Sequence, residues 1–108
     1  MKNLTLIVHA DVQQALADTL RSFKQASGFT YTPVEGHGAQ DGRDGVFSEA
    51  SGLSAKDRVV GYTPQVRVDI LLEDGDVNVV LQMLRITDCG LAGRGIYWIT
   101  PVEQRGRL

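Results

Sequence analysis

QVRVDILLEDGDVNVVLQMLRI, Gln65 to Ile86, changes its hydrophobic period half-way along, and that change decides the fold class. Over Gln65 to Glu73 the apolar residues Val66, Val68, Ile70 and Leu72 fall on one side and Arg67, Asp69 and Leu71 on the other, the two-residue period of a strand. Asp74 and Gly75 interrupt it. From Asp76, expected as the N-cap, the apolar positions Val77, Val80, Leu81 and Leu84 recur at helical spacing as far as Ile86. One strand followed at once by one amphipathic helix implies an α+β unit.

The N-terminal part repeats the unit. Asn3 to His9 alternates as a strand. Asp11 is expected to cap a helix whose buried stripe is Val12, Leu16, Leu20 and Phe23, leaving Gln13, Gln14, Asp18 and Arg21 to solvent. Ser27 and Gly28 should end it. Phe29 to Val34 reads as a strand that Pro33 confines to a sheet edge or a bulge, because proline has no N–H to give to a ladder. Ile96 to Thr100 is the last strand.

The succession β, α, β, β, α, β predicts one domain over 1–108: a ferredoxin-like sandwich with an antiparallel sheet and both helices on one face. Apolar residues on both sides of several strands, with only two helices to cover them, predict self-association. A chain of 108 residues, 43% hydrophobic, is too short for two ordinary domains. A net charge of −2 gives no general attraction to nucleic acid or anionic membranes. No window reaches the roughly 20 apolar residues of a membrane span, and no leader pattern is evident, so a cytoplasmic protein without membrane insertion is expected. The single cysteine, Cys89, excludes an internal disulfide.

The segment Glu35 to Thr63 joins the second and third strands and is far longer than a hairpin connection of about two to five residues. Rich in Gly, Asp and Ser, it has too few apolar groups to pack a core, and reads either as a tolerated insertion or as a recognition loop. A second glycine-rich stretch, GLAGRGIYWITP from Gly90 to Pro101, leads into the last strand. It suits a turn or an anion cradle.

Three motifs in this order, VEGHGAQ at Val34 to Gln40, TPQVRVDI at Thr63 to Ile70 and GLAGRGIYWITPVE at Gly90 to Glu103, resemble the PII signal-transduction family over nearly the whole chain. More narrowly, the chain is similar to short PII-like proteins encoded beside heavy-metal efflux pumps of the resistance-nodulation-division type. The resemblance implies a homotrimer that binds adenine nucleotide between subunits, and a T-loop, here 35–63, that docks on a membrane transporter. It implies nucleotide contacts at Gly36, Gly38, Gln40, Asp69, Gly93 and Gly95, and from the tail 101–108 at Arg107, with Arg105 nearby; Arg94, between the two turn glycines, is expected to add a cation of this chain's own. No cofactor is required; AMP, ADP or ATP is the implied ligand.

The chain departs from the family pattern where cations are expected: Ile96 and Gln65 stand in place of lysines and Ala39 in place of an arginine, while Arg94 replaces an acid. Losing these partners should weaken ATP and favour AMP, since charge-assisted bonds to phosphate are the strong ones. Tyr62 lies at the base of the loop, so the modification of a loop-tip tyrosine seen in some relatives is not expected. No local pair of His or Cys has the spacing of a zinc site, and His37 and Cys89 are the candidate ligands of the competing reading, a CutA-like metal-binding or metal-tolerance protein that takes a divalent metal. His9 is expected to be structural, and one of Tyr97 and Trp98 to pack the trimer core. Nothing in the spacing supports a catalytic triad, and no enzyme is expected.

Overall fold

The computed structural model describes residues 1–26, 28–37, 63–87, 91 and 95–108. It is a small α+β domain, and the described residues form four antiparallel strands and two α-helices. The strands are β1 (Lys2–His9), β2 (Phe29–Gly36), β3 (Thr63–Leu72) and β4 (Ile96–Pro101), and the helices are α1 (Gln13–Arg21) and α2 (Val77–Ile86). A 3-10 turn precedes each helix, at Ala10–Val12 and Asp74–Asp76.

The sheet order is β2-β3-β1-β4. Leu4 faces Ile70 on β3 and Ile99 on β4, and Ile70 in turn faces Phe29 on β2, so one line of apolar side chains crosses the sheet. Alternation along the strands then defines the core. Leu4, Leu6 and Val8 of β1 and Val66, Val68, Ile70 and Leu72 of β3 join Leu16 and Leu20 of α1 and Val77, Val80, Leu81 and Leu84 of α2 in one buried cluster. Both helices therefore cover the same sheet face.

The other face carries Asn3, Thr5 and Ile7 of β1, Arg67, Asp69 and Leu71 of β3, and Trp98 of β4, in matched register. No helix covers it. Leu71 and Trp98 are each 39% exposed there, which is the uncovered apolar surface that the composition foretold. Pro33 lies on β2, an edge strand, as its missing N–H requires.

Local boundaries and caps differ from the sequence expectation in five places. Asp11 does not cap the first helical segment: the His9 side chain does, its Nδ1 accepting from the Asp11 N–H at 3.1 Å, so the structural role expected of His9 is an N-cap. α1 ends at Arg21 rather than near Ser27, and Phe23 reaches the core from beyond it. Asp76 stands at the N-cap of α2 but its side chain makes no capping bond; neighbouring Asp74 takes the Met1 ammonium at 2.7 Å. β2 and β3 extend further than their alternation suggests, to the pair Gly36–Thr63, so Glu35, Gly36 and Thr63 are ladder residues and not loop. Pro101 likewise belongs to β4, not to the tail.

Candidate functional site

Asp69 organises the uncovered face. Its Oδ1 accepts from Thr5 Oγ1 at 2.8 Å and Asn3 Nδ2 at 3.2 Å, and Arg67 Nε reaches Oδ2 at 3.0 Å. Strand register makes these bonds possible: Thr5 faces Asp69, and Arg67 is two residues along the same side of β3. Partial burial pushes the carboxyl up, but the Arg67, Thr5 and Asn3 hydrogen bonds and the Arg67 charge outweigh it and hold Asp69 below the usual carboxylate range. Thr5, fully buried in a strand, is satisfied by this bond. The Arg67 guanidinium also stands 5.7 Å from the centroid of the Trp98 ring, a cation–π contact that ties β3 to β4 across β1.

A cavity of about 530 Å³ opens beside Asp69, between Gly28 to Thr30 at the start of β2, Leu71 on β3 and Arg105 of the tail. A carboxylate only accepts hydrogen bonds, so Asp69 favours donors such as an amino group or sugar hydroxyls. Arg105 offers the complementary cation. The tail arginine lining this cavity is Arg105; Arg107 is exposed and takes no part in the lining. Asn3 also lines it, and its Oδ1 is buried without a hydrogen-bond partner because the Asp69 carboxylate fixes the amide with its NH₂ toward β3.

The remaining expected site residues lie elsewhere or outside the described residues. Gly36 is buried opposite Thr63, six residues further along β2 than Thr30, the partner of Asp69. At about 3.3 Å per residue that is roughly 20 Å from Asp69, too far for one phosphate cluster to touch both. Gly95 precedes β4 on the helix-covered side, beside Val8 and Leu91. His37 Nε2 is 3.2 Å from Glu35 Oε2 in an exposed pair. Among the described residues no group of three His, Cys, Asp or Glu side chains comes together. Gly38, Gln40, Cys89, Gly93 and Arg94 lie outside the described residues.

Gln65, read in the sequence as the start of a strand and as a residue in place of a lysine, is 2% exposed, and neither amide atom has a hydrogen-bond partner. Its register position, opposite His9 and Val34, puts it at the end of the uncovered face nearest Gly36.

The family profile described as "Protein of unknown function (DUF3240)" matches residues 1–108. The chain belongs to the DUF3240 family. It is also similar to the crystal structure of a DUF3240 family protein from Shewanella baltica OS155, with a TM-score of 0.70 and 23% identity over 99% of this chain and 94% of that one. At that identity the likeness concerns the fold. Among the described residues of this DUF3240 chain no helix is long and apolar enough to cross a membrane.

Proposed function

We propose that this DUF3240 chain is a PII-like signalling protein, a ferredoxin-like trimer that senses an adenine nucleotide between subunits and regulates a membrane transporter, with heavy-metal efflux the leading candidate. The observation that carries the reading is the cavity joining Asp69 to Arg105 and the backbone of Gly28 to Thr30. It offers an acceptor and a cation but only part of a nucleotide site. Gly36, some six register positions away, cannot complete it in the same chain. A neighbouring subunit can, if the uncovered face carrying Leu71 and Trp98 is buried by self-association.

In this reading Asp69 takes donors of the base or ribose and Arg105 meets phosphate. The sequence from Gly36 to Thr63 reports occupancy to the transporter by a population shift, the partner binding only one of its conformations. The order β2-β3-β1-β4 with the βαββαβ succession supports the ferredoxin-like assignment.

The test is isothermal titration of the purified protein with ATP, ADP, AMP and cyclic AMP, each with and without magnesium, then with zinc and copper. Saturable nucleotide binding that Arg105→Ala weakens about tenfold is expected, in line with a charge-assisted hydrogen bond. Stoichiometric metal binding without nucleotide binding would overturn the reading in favour of the CutA-like one, with His37 and Cys89 as first residues to replace.

A further inference from the structure

On the opposite, helix-covered side of the sheet, α2 and β4 leave a crevice of about 160 Å³. Its walls are Leu6, Val8, Leu81 and Leu84, and its mouth is formed by Arg85 and Tyr97. Each part follows from the elements. Tyr97 faces Leu6 across the β1–β4 ladder and so turns toward the helices, while Arg85 lies one helical turn beyond Leu81, on the same side of α2.

The inner walls are apolar, so water against them finds few polar partners and an apolar group is the better occupant there. A cavity of about 150 Å³ with this kind of lining holds a benzene ring. The size is set in part by Gly95: a Cβ there would come within 3.2 Å of Val8 Cγ1 and 3.7 Å of Leu91 Cδ2.

The mouth has a different character. Arg85 Nη2 donates to the Tyr97 hydroxyl at 3.4 Å, and its guanidinium carbon stands 5.9 Å from the Tyr97 ring centroid. Among the described residues no carboxylate pairs with it. A guanidinium held against a neutral ring keeps most of its N–H groups for a planar anion, and a carboxylate fits that fork with two parallel bonds. A dianionic phosphate fits less well, since one arginine beside an apolar wall leaves its second charge uncompensated.

We propose that this crevice binds a small monocarboxylic acid with an apolar body of benzoate size, the body between Leu81, Leu84 and Val8 and the carboxylate on Arg85. The site is separate from the Asp69–Arg105 cavity, and stands or falls independently of nucleotide sensing.

Full-length protein would be titrated with benzoate, benzyl alcohol, benzylamine and inorganic phosphate, using calorimetry and ligand-observed NMR. Benzoate should bind saturably, one per chain and about tenfold or more tighter than benzyl alcohol, with benzylamine weaker still. Arg85→Gln should remove the preference for the acid and leave benzyl alcohol unchanged. Gly95→Ala should weaken both. The ligand series on the unaltered protein decides the matter even if a variant misfolds. Absence of saturable benzoate binding, equal affinity for benzoate and benzyl alcohol, an Arg85→Gln protein that still prefers the acid, or displacement of benzoate by phosphate would each overturn the proposal.

Discussion

The Thr5 hydroxyl donates to Asp69 Oδ1 over 2.8 Å, across the β1–β3 pair in which these two residues face one another. Asn3 and Arg67 converge on the same carboxylate, so a single acid ties two central strands together on the sheet face opposite α1 and α2.

Asp69→Asn should lower stability by about 1–2 kcal/mol at neutral pH, because hydrogen bonds to a charged acceptor are lost or weakened. Desolvation raises the Asp69 pKa, yet the bonds from Arg67, Thr5 and Asn3 bring it below the ordinary value. A depressed folded pKa contributes stability that is present above the unfolded value of about 3.9 and is lost as pH falls through the folded one. Urea unfolding of both proteins at pH 7 and pH 3 checks this. The gap should narrow at pH 3; a gap of equal size at both would rule out the carboxylate as its source.

Leu4→Ala should cost about 2–5 kcal/mol, since Leu4 is fully buried at the crossing of the apolar line through the sheet. Val79, 42% exposed on α2, is the control, and Val79→Ala should change stability by no more than about 0.5 kcal/mol. Denaturant midpoints measure both.

Trp98→Asp addresses self-association. If the uncovered face is an interface between subunits, the unaltered protein should sediment at three times the chain mass of 11.8 kDa and the variant as a single chain. Trp98 is the only tryptophan, so its fluorescence should also shift to the red on dilution as the assembly separates. A single-chain mass for the unaltered protein would remove the trimer.

Gly95→Ala should destabilise by about 1 kcal/mol through overpacking, because the added methyl meets Val8 Cγ1 at 3.2 Å and Val8 is itself buried in the core. Thermal melting against Gly106→Ala, where nothing lies within 4 Å, isolates the contact.

Much of this fold is written in short-range pattern. Val66, Val68, Ile70 and Leu72 are buried together because alternation alone fixes which side of a strand they take, and Val12, Leu16, Leu20 and Phe23 likewise share the core. Caps were less legible: the residue that caps the first helical segment is His9, whose ring nitrogen does the work usually sought from Ser, Thr, Asp or Asn. The strand extension to Gly36 and Thr63 was invisible because each residue is placed by its partner on the other strand rather than by its own preference. At the candidate site, the strand position of Asp69 beside Arg67 was legible from alternation along β3, whereas its bonds to Thr5 and Asn3 depend on the β1–β3 register. That Arg105 rather than Arg107 lines the cavity was not legible, since it depends on where the tail runs past β2.

The pair Gly36–Thr63 has an evolutionary consequence. The ladder itself holds residues 36 and 63 at strand separation, so the register of β2 on β3 is set by their own pairing and not by the number of residues between them. Insertions and deletions between residues 36 and 63 can therefore accumulate while the sheet keeps its register.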